Sequence, residues 1–341
     1  MEYLKTLWVS VFVVIALVAC GGGGGLAGGG EPLPGAAINI TEANAVPVTA
    51  AVVGSVEVVQ GLSEGGTGAI IGVATETAGG GFNMADFVLQ QLDRFTVVRE
   101  QALVNSAVGV AIDPPISGDC DNLNLGTITI TGDVADPTLN SIAVGDNVVL
   151  TMTNCEMDGL VANGGFTLTV VAFSDNIDTF IPPYSLTVDV VVTDFTVNDG
   201  LSTFSGDGDM TLTLAGNADG TRDMIATGTQ LTATEAGFTT VLANYLYELT
   251  ENVFTLDYSL DMSGELDSSA LGGSVMFNST TTFAGFGEGY PGAGVLLITG
   301  ADGSQCRLRT IDAVNVEIDV DADGDGVFET TINDTWANLT A

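Results

Sequence analysis

The sequence predicts a mainly β fold of the α+β class: an antiparallel meander curled into a barrel or half-barrel, with one or two N-terminal helices packed on it. Three observations predict it. From about Gly126 onward apolar residues recur at every second position, Asp-Gly, Asn-Gly and Gly-Gly pairs interrupt these runs, and helical periodicity is confined to the stretch before residue 105.

The strands can be justified in chain order. Ile128 and Ile130 alternate with Thr127, Thr129 and Thr131, and Val148, Leu150 and Met152 alternate with Val149, Thr151 and Thr153. The same period marks Phe166-Leu168-Val170, Leu186-Val188-Val190-Val192, Met210-Leu212-Leu214, Val275-Phe277 and Val314-Val316-Ile318-Val320. Most runs have one apolar face and one face rich in Thr and Asp, the pattern of a sheet covered on one side. Turn signals stand at Asp158-Gly159, Asn163-Gly164, Asp199-Gly200, Asp219-Gly220, Gly272-Gly273 and Asp302-Gly303. One-sided strands joined by short turns need a second element over their apolar face.

Two helices are expected to supply it. Thr41 and Glu42 start the first, over residues 41–60, which is rich in Ala and Val and weakened by Pro47 and Gly54. Asn83, with Asp86 three residues on, caps the second. In it Met84, Phe87, Val88, Leu92, Phe95 and Ala102 recur largely at three- and four-residue steps. This helix, 84–102, is expected at the mouth of the curled sheet or in its concavity.

Composition excludes several functions. Asp and Glu number 43 against six Lys and Arg, for a net charge of −37, which repels nucleic-acid phosphates and anionic headgroups and favours cationic partners. A hydrophobic fraction of 46% argues for a folded core rather than disorder. The absence of His rules out Ser-His-Asp and Cys-His triads and His-ligated zinc or haem. Without Lys after residue 5, Schiff-base and Ser-Lys chemistry also go. Paired carboxylates, as in glycoside hydrolysis, remain, but 7% aromatic residues is thin for a sugar-stacking groove. The expectation is a non-catalytic protein, with a carboxylate-dependent glycoside hydrolase as the weaker alternative.

The N-terminus specifies an address. Residues 1–5 form a head with one cation, Thr6 to Val18 is an apolar run too short to span a bilayer, and Leu17-Val18-Ala19-Cys20 closes it. That ending resembles the lipobox of bacterial lipoproteins. The resemblance implies cleavage before Cys20, a diacylglycerol on its thiol and a freed amine open to acylation. Glu2 and Lys5 would be lost, leaving Arg94, Arg99, Arg222, Arg307 and Arg309 as the cations. The glycines at 21–25 and 28–30 suit a flexible tether. Gly21, in place of the Asp that retains such lipoproteins in the inner membrane, points to the outer membrane. The expected organisation is a signal peptide at 1–19, an acylated Cys and tether at 20–36, a helical segment at 37–104 and a β domain at 105–341.

The whole order of parts resembles a type of exported β-rich envelope lipoprotein of proteobacteria. The resemblance rests on the lipobox and tether, the helix from Asn83, the Gly145-Asp146 strand leading to Asn154-Cys155 and Asn163-Gly164-Gly165-Phe166, and the closing segment from Gly300 to Trp336. It brings no activity with it. A transmembrane barrel fits less well, because aromatics are few and the chain ends Asn338-Leu339-Thr340-Ala341.

Export implies an oxidising compartment, in which Cys120 and Cys155, each beside a candidate strand, are the natural disulfide pair. Cys306 can pair with either, so three single bridges stay open; left alone, it reads as a buried thiol in the strand 305–311. The sharpest constellation is Asp319 to Glu329, where alternate Asp residues with Gly at the bend resemble a calcium loop. An EF-hand counted from Asp321 would need Glu at its twelfth position, where Ile332 stands, and no helical pattern flanks the loop. The competing reading is a polar hairpin turn. If a cation binds, Asp321, Asp323, Asp325 and Glu329 are the ligands and Ca²⁺ at millimolar affinity is the expectation; no other cofactor is implied.

Two functions follow. The chain is either a tethered structural or interaction module of the envelope, its acidic surface meeting Ca²⁺ and cationic or envelope-protein partners, or a carrier of a lipid or other hydrophobic ligand. The carrier would need an open concavity lined by residues such as Val170, Val190, Leu212 and Phe277.

Overall fold

The computed structural model describes residues 35–63, 110–111, 115–119, 126–134, 143–157, 160–174, 182–198, 203–235, 237–287 and 289–340. The lipobox with Cys20, the Gly tether, the helix expected over 84–102, Cys120 and the turns at 158–159 and 199–200 lie outside the described residues.

Among the described residues, fifteen strands form one antiparallel sheet. At one edge β1 (Val110–Ala111) and β2 (Ile116–Asp119) both pair with β3 (Thr127–Val134). From there each strand pairs with its predecessor: β4 (Asn147–Met157), β5 (Leu160–Phe173), β6 (Tyr184–Asn198), β7 (Thr203–Gly216), β8 (Thr221–Glu235), β9 (Phe238–Asn252), β10 (Asp257–Ser268) and β11 (Gly273–Phe286). β12 (Ala293–Thr299), β13 (Gln305–Thr310), β14 (Asn315–Asp321) and β15 (Thr330–Thr335) complete the path. The expected meander is present and curled, and among the described residues it does not close: β15 ends the path and does not pair back to β1–β3.

The first expected helix forms as α1 (Ala45–Ser63). It starts after Thr41 because Asn44 takes the capping position, its carbonyl accepting from Val48 N, while its side chain accepts from Thr41 N and donates to the Asn39 carbonyl. Pro47 falls in the first turn, where a missing N–H costs nothing. A Val-rich helix has weak intrinsic propensity, so packing must hold it. Ala45, Val48, Thr49, Val52 and Val53 are buried against the sheet, and the helix meets β8, β9, β10, β13 and β14. Two polar contacts fix its register: Ser55 Oγ lies 2.8 Å from Tyr247 Oη and Thr49 Oγ1 3.6 Å from Cys306 Sγ. A closing turn of helix, α2 (Trp336–Leu339), packs against α1, with Trp336 buried, stacked on Tyr290 and edge-on to Phe283.

The long strands curl because they are bulged. Register shifts interrupt the β4–β5, β5–β6, β6–β7, β7–β8, β9–β10, β10–β11 and β11–β12 pairings. A bulge sets two residues against one, bends the strand and frees backbone groups from the ladder. Here side chains of the neighbouring strand take up the freed N–H groups. Asn154 N donates to Asn163 Oδ1, Asp194 N to Asp207 Oδ1, Thr229 N and Gln230 N to the Asp209 carboxylate, and Met262 N to Ser279 Oγ. Asn154, Asp194 and Asn244 have positive φ. Close backbone approach at three of these crossings demands glycine: a Cβ on Gly126, Gly164 or Gly208 would stand 2.0, 2.5 or 2.3 Å from the carbonyl oxygen of Asn154, Asp194 or Gln230.

The Asn163-Gly164 pair, expected as a turn, therefore lies inside β5, with Gly164 at φ 116° facing the bend at Asp194. The pairs Asp219-Gly220, Gly272-Gly273 and Asp302-Gly303 do stand at strand ends. On the convex face Thr hydroxyls serve the carboxylates: Thr211 donates to Asp189, Thr250 to Asp223 and Thr282 to Asp261.

Asp209→Ala removes the acceptor of two bulge amides at a half-exposed position. The expected cost is about 1–2 kcal/mol of unfolding free energy by chemical denaturation, with Asp209→Asn recovering part of it. An unchanged transition midpoint would contradict the clamp.

Candidate cation-binding loop

The β14–β15 hairpin turn is where the acidic repeat folds. Strands flank it, Ile318 pairing with Ile332, so Ile332 belongs to the ladder and the loop is a hairpin turn and not an EF-hand. Glu329 N bonds to the Val320 carbonyl at 3.0 Å and closes the loop. Gly324 (φ 75°) and Gly326 (φ 87°) supply left-handed bends that L side chains rarely adopt. Gly324 also packs on the Asp302-Gly303 turn, where a Cβ would meet the Asp302 carbonyl at 2.6 Å.

All four predicted side chains come together. One carboxylate oxygen from each of Asp321, Asp323, Asp325 and Glu329 lies within 4.8 Å of the others. Asp321 is the buried floor, its two oxygens accepting from Gly324 N and Gly326 N at 2.8 Å each. Asp323 accepts from Asp325 N and Asp325 from Val327 N, which curls the backbone around the cluster; Asp323, Asp325 and Glu329 are exposed. Oxygens on a sphere of calcium–ligand radius, about 2.3–2.6 Å, are separated by at most about 4.6–5.2 Å. The spacing therefore suits a hard cation of that size.

An ion-pair network that the repeat alone did not disclose supports the loop. Arg307 and Arg309, two apart on β13, face Asp319 and Glu317, two apart on β14. Arg307 donates to Asp319 through Nε and Nη2, and Arg309 donates to Asp319 through Nε at 2.6 Å and to Glu317 through Nη2 at 2.6 Å. Thr331 Oγ1 on β15 also donates to Asp319. The Arg307 guanidinium lies 4.2 Å above the ring of Phe328, beside Glu329. Burial alone would raise the Asp319 pKa, but the hydrogen bonds from Arg309, Arg307 and Thr331 outweigh it and hold the carboxyl at about 2. Its sequence trace is Arg-x-Arg on β13 and Glu-x-Asp on β14, which become partners only when the two strands are placed in register.

The cysteines divide as follows. Cys306 is free and wholly buried in β13, as expected for a structural thiol; burial pushes it up to about 11, against a small opposing effect from Thr49. Cys155 is buried in β4, its Sγ 3.6 Å from the Thr127 carbonyl. Cys155 is disulfide-bonded, and not to Cys306, which is free; Cys120 lies outside the described residues. Val170, Val190, Leu212 and Phe277 are between 0 and 3% exposed and belong to one continuous core.

Asp319 has a folded pKa below its unfolded value of about 3.9. Its stabilising effect is thus complete above about pH 4 and is lost as pH falls toward 2. Asp319→Asn should lower the denaturation midpoint at pH 7 and leave a smaller difference from the parent at pH 2–3. Equal differences at both pH values would contradict the pairing.

No protein family, curated protein or solved structure matches the chain.

Proposed function

We propose that the chain is a membrane-anchored envelope lipoprotein whose β domain is a non-catalytic interaction module with a Ca²⁺-binding turn. The observation that carries the cation is the convergence of Asp321, Asp323, Asp325 and Glu329 within 4.8 Å. The anchor rests on the lipobox ending at Cys20 and the Gly tether behind it. A bridge between Cys120 and Cys155 belongs to the same reading, since an exported domain meets an oxidising compartment. The outer membrane is its expected location.

The carrier reading has less support. Side chains that would line the ligand chamber have almost no accessible surface, and water-sized space beside them would register as exposure. Part of the concave face, along β8, β9, β10, β13 and β14, has α1 against it.

Two experiments test the proposal. With affinity near 1 mM, raising Ca²⁺ to about tenfold excess over Kd should add about 1.4 kcal/mol of stability, seen as a rise in melting temperature that Asp323→Asn/Asp325→Asn abolishes. An equal response in the variant would place the ion elsewhere, and no response would remove the site. Cys20→Ser should prevent acylation and release the chain from washed membranes; undiminished membrane retention would refute the anchor.

A further inference from the structure

The two ends of the curled sheet differ. In a meander, alternate turns fall at opposite ends, so the β10–β11 and β12–β13 turns share one end with the Asp loop. The chain enters there: Ala37 bridges Ser274, Ile38 accepts from Ala301 N, and Ile40 N donates to Ser304 Oγ. The β9–β10, β11–β12 and β13–β14 turns lie at the other end, away from Ala37 and Ile38.

That far end carries a concentration of exposed apolar side chains. Phe254 is 76% exposed and Phe286 63%, with Leu256, Ile311 and Val314 also exposed. Leu256 and Phe286 adjoin, since Asp257 pairs with Phe286 and the Leu256 carbonyl accepts from Gly287 N, and Phe254 stands two residues before Leu256 in the same turn. Beside them the Phe254 ring covers Gly220 and walls a cavity of about 280 Å³ with Pro182, Arg222 and Val253. Large aromatic side chains left in water next to a hole of this size are the anatomy of an interface anchor region.

The charge around the patch selects the partner. Asp219, Glu251, Asp257 and Asp312 stand in or beside the turns of this end, where Arg222 lies 3.6 Å from Glu251. Hydrogen bonds from Thr221 and from Asn315 hold Asp219 and Asp312 below the usual carboxylate range, so both stay ionised at neutral pH. Anionic headgroups are repelled by such a rim, and a basic protein surface is attracted. We propose that this rim docks a protein segment that carries apolar anchor side chains flanked by Lys or Arg. The inference rests on the reading of the chain as an acidic interaction module and names the surface and partner class.

The test uses the full chain carrying Cys20→Ser, with and without Phe254→Ser/Phe286→Ser. Both are titrated with two synthetic peptides of equal positive charge, one an amphipathic Leu/Lys repeat and one with Ser in place of every Leu. The Leu/Lys peptide should bind the parent roughly tenfold or more tightly than the rim variant, and the Ser/Lys peptide should bind both equally and weakly. Equal Leu/Lys affinity for both chains would overturn the rim while leaving the acidic module standing. Failure of both peptides to bind at low ionic strength would overturn the module itself. Rim-dependent co-sedimentation with phosphatidylcholine vesicles, without discrimination between the peptides, would assign the rim to lipid and overturn the proposal. If the double variant melts early, Phe254→Ser alone carries the comparison.

Discussion

Backbone amides freed where the long strands bend must find acceptors, and in this chain carboxylates and carboxamides of the neighbouring strand take them. Asn163, Asp207 and Asp209 are the clearest cases. The arrangement answers two problems together. A strand of up to 15 residues needs bulges to curl around a helix, and each bulge leaves a donor without a ladder partner. A chain with 43 acidic residues and six basic ones needs donors other than cations. Bulge amides and Thr hydroxyls supply them, so much of the acidity is built into the sheet rather than spread over it.

The same curl places the candidate site. Because the sheet bends around α1, β13, β14 and β15 hold one edge firmly enough to gather their side chains. Asp319 is clamped by two guanidiniums and the Thr331 hydroxyl, and the strand continues two residues later into Asp321, the buried floor of the loop. Breaking a buried charge from its partners is costly, which makes that edge a rigid support for an otherwise exposed turn. The loop and the first described residues, Gly35 to Ile40, share one end, and the apolar rim occupies the other.

The strands with unbroken alternation were legible from sequence: Val148-Leu150-Met152 and Leu186-Val188-Val190-Val192 are buried at each second residue. Segments that run across a bulge were not, because the bulge shifts the phase. On β8 the buried positions pass from Ala226 to Leu231 and Ala233, and on β9 from Leu242 to Tyr245, Tyr247 and Leu249, so a period of two fails across the whole segment. Asn163-Gly164 misleads for the same reason: the glycine that suits a hairpin also suits a close crossing. The four ligands of the Asp loop were legible because they are local, whereas the Arg307–Asp319 pair became visible only once β13 and β14 were in register.

The central claim is that the interior is a packed core and that the chain works through its surface. Native mass spectrometry of the Cys20→Ser chain, purified gently from its own host, tests this most directly. The account predicts the mass of the polypeptide alone or with calcium. A stoichiometric adduct of lipid mass would contradict it, because such a ligand would require space that Val190 and Leu212, both without accessible surface, do not leave.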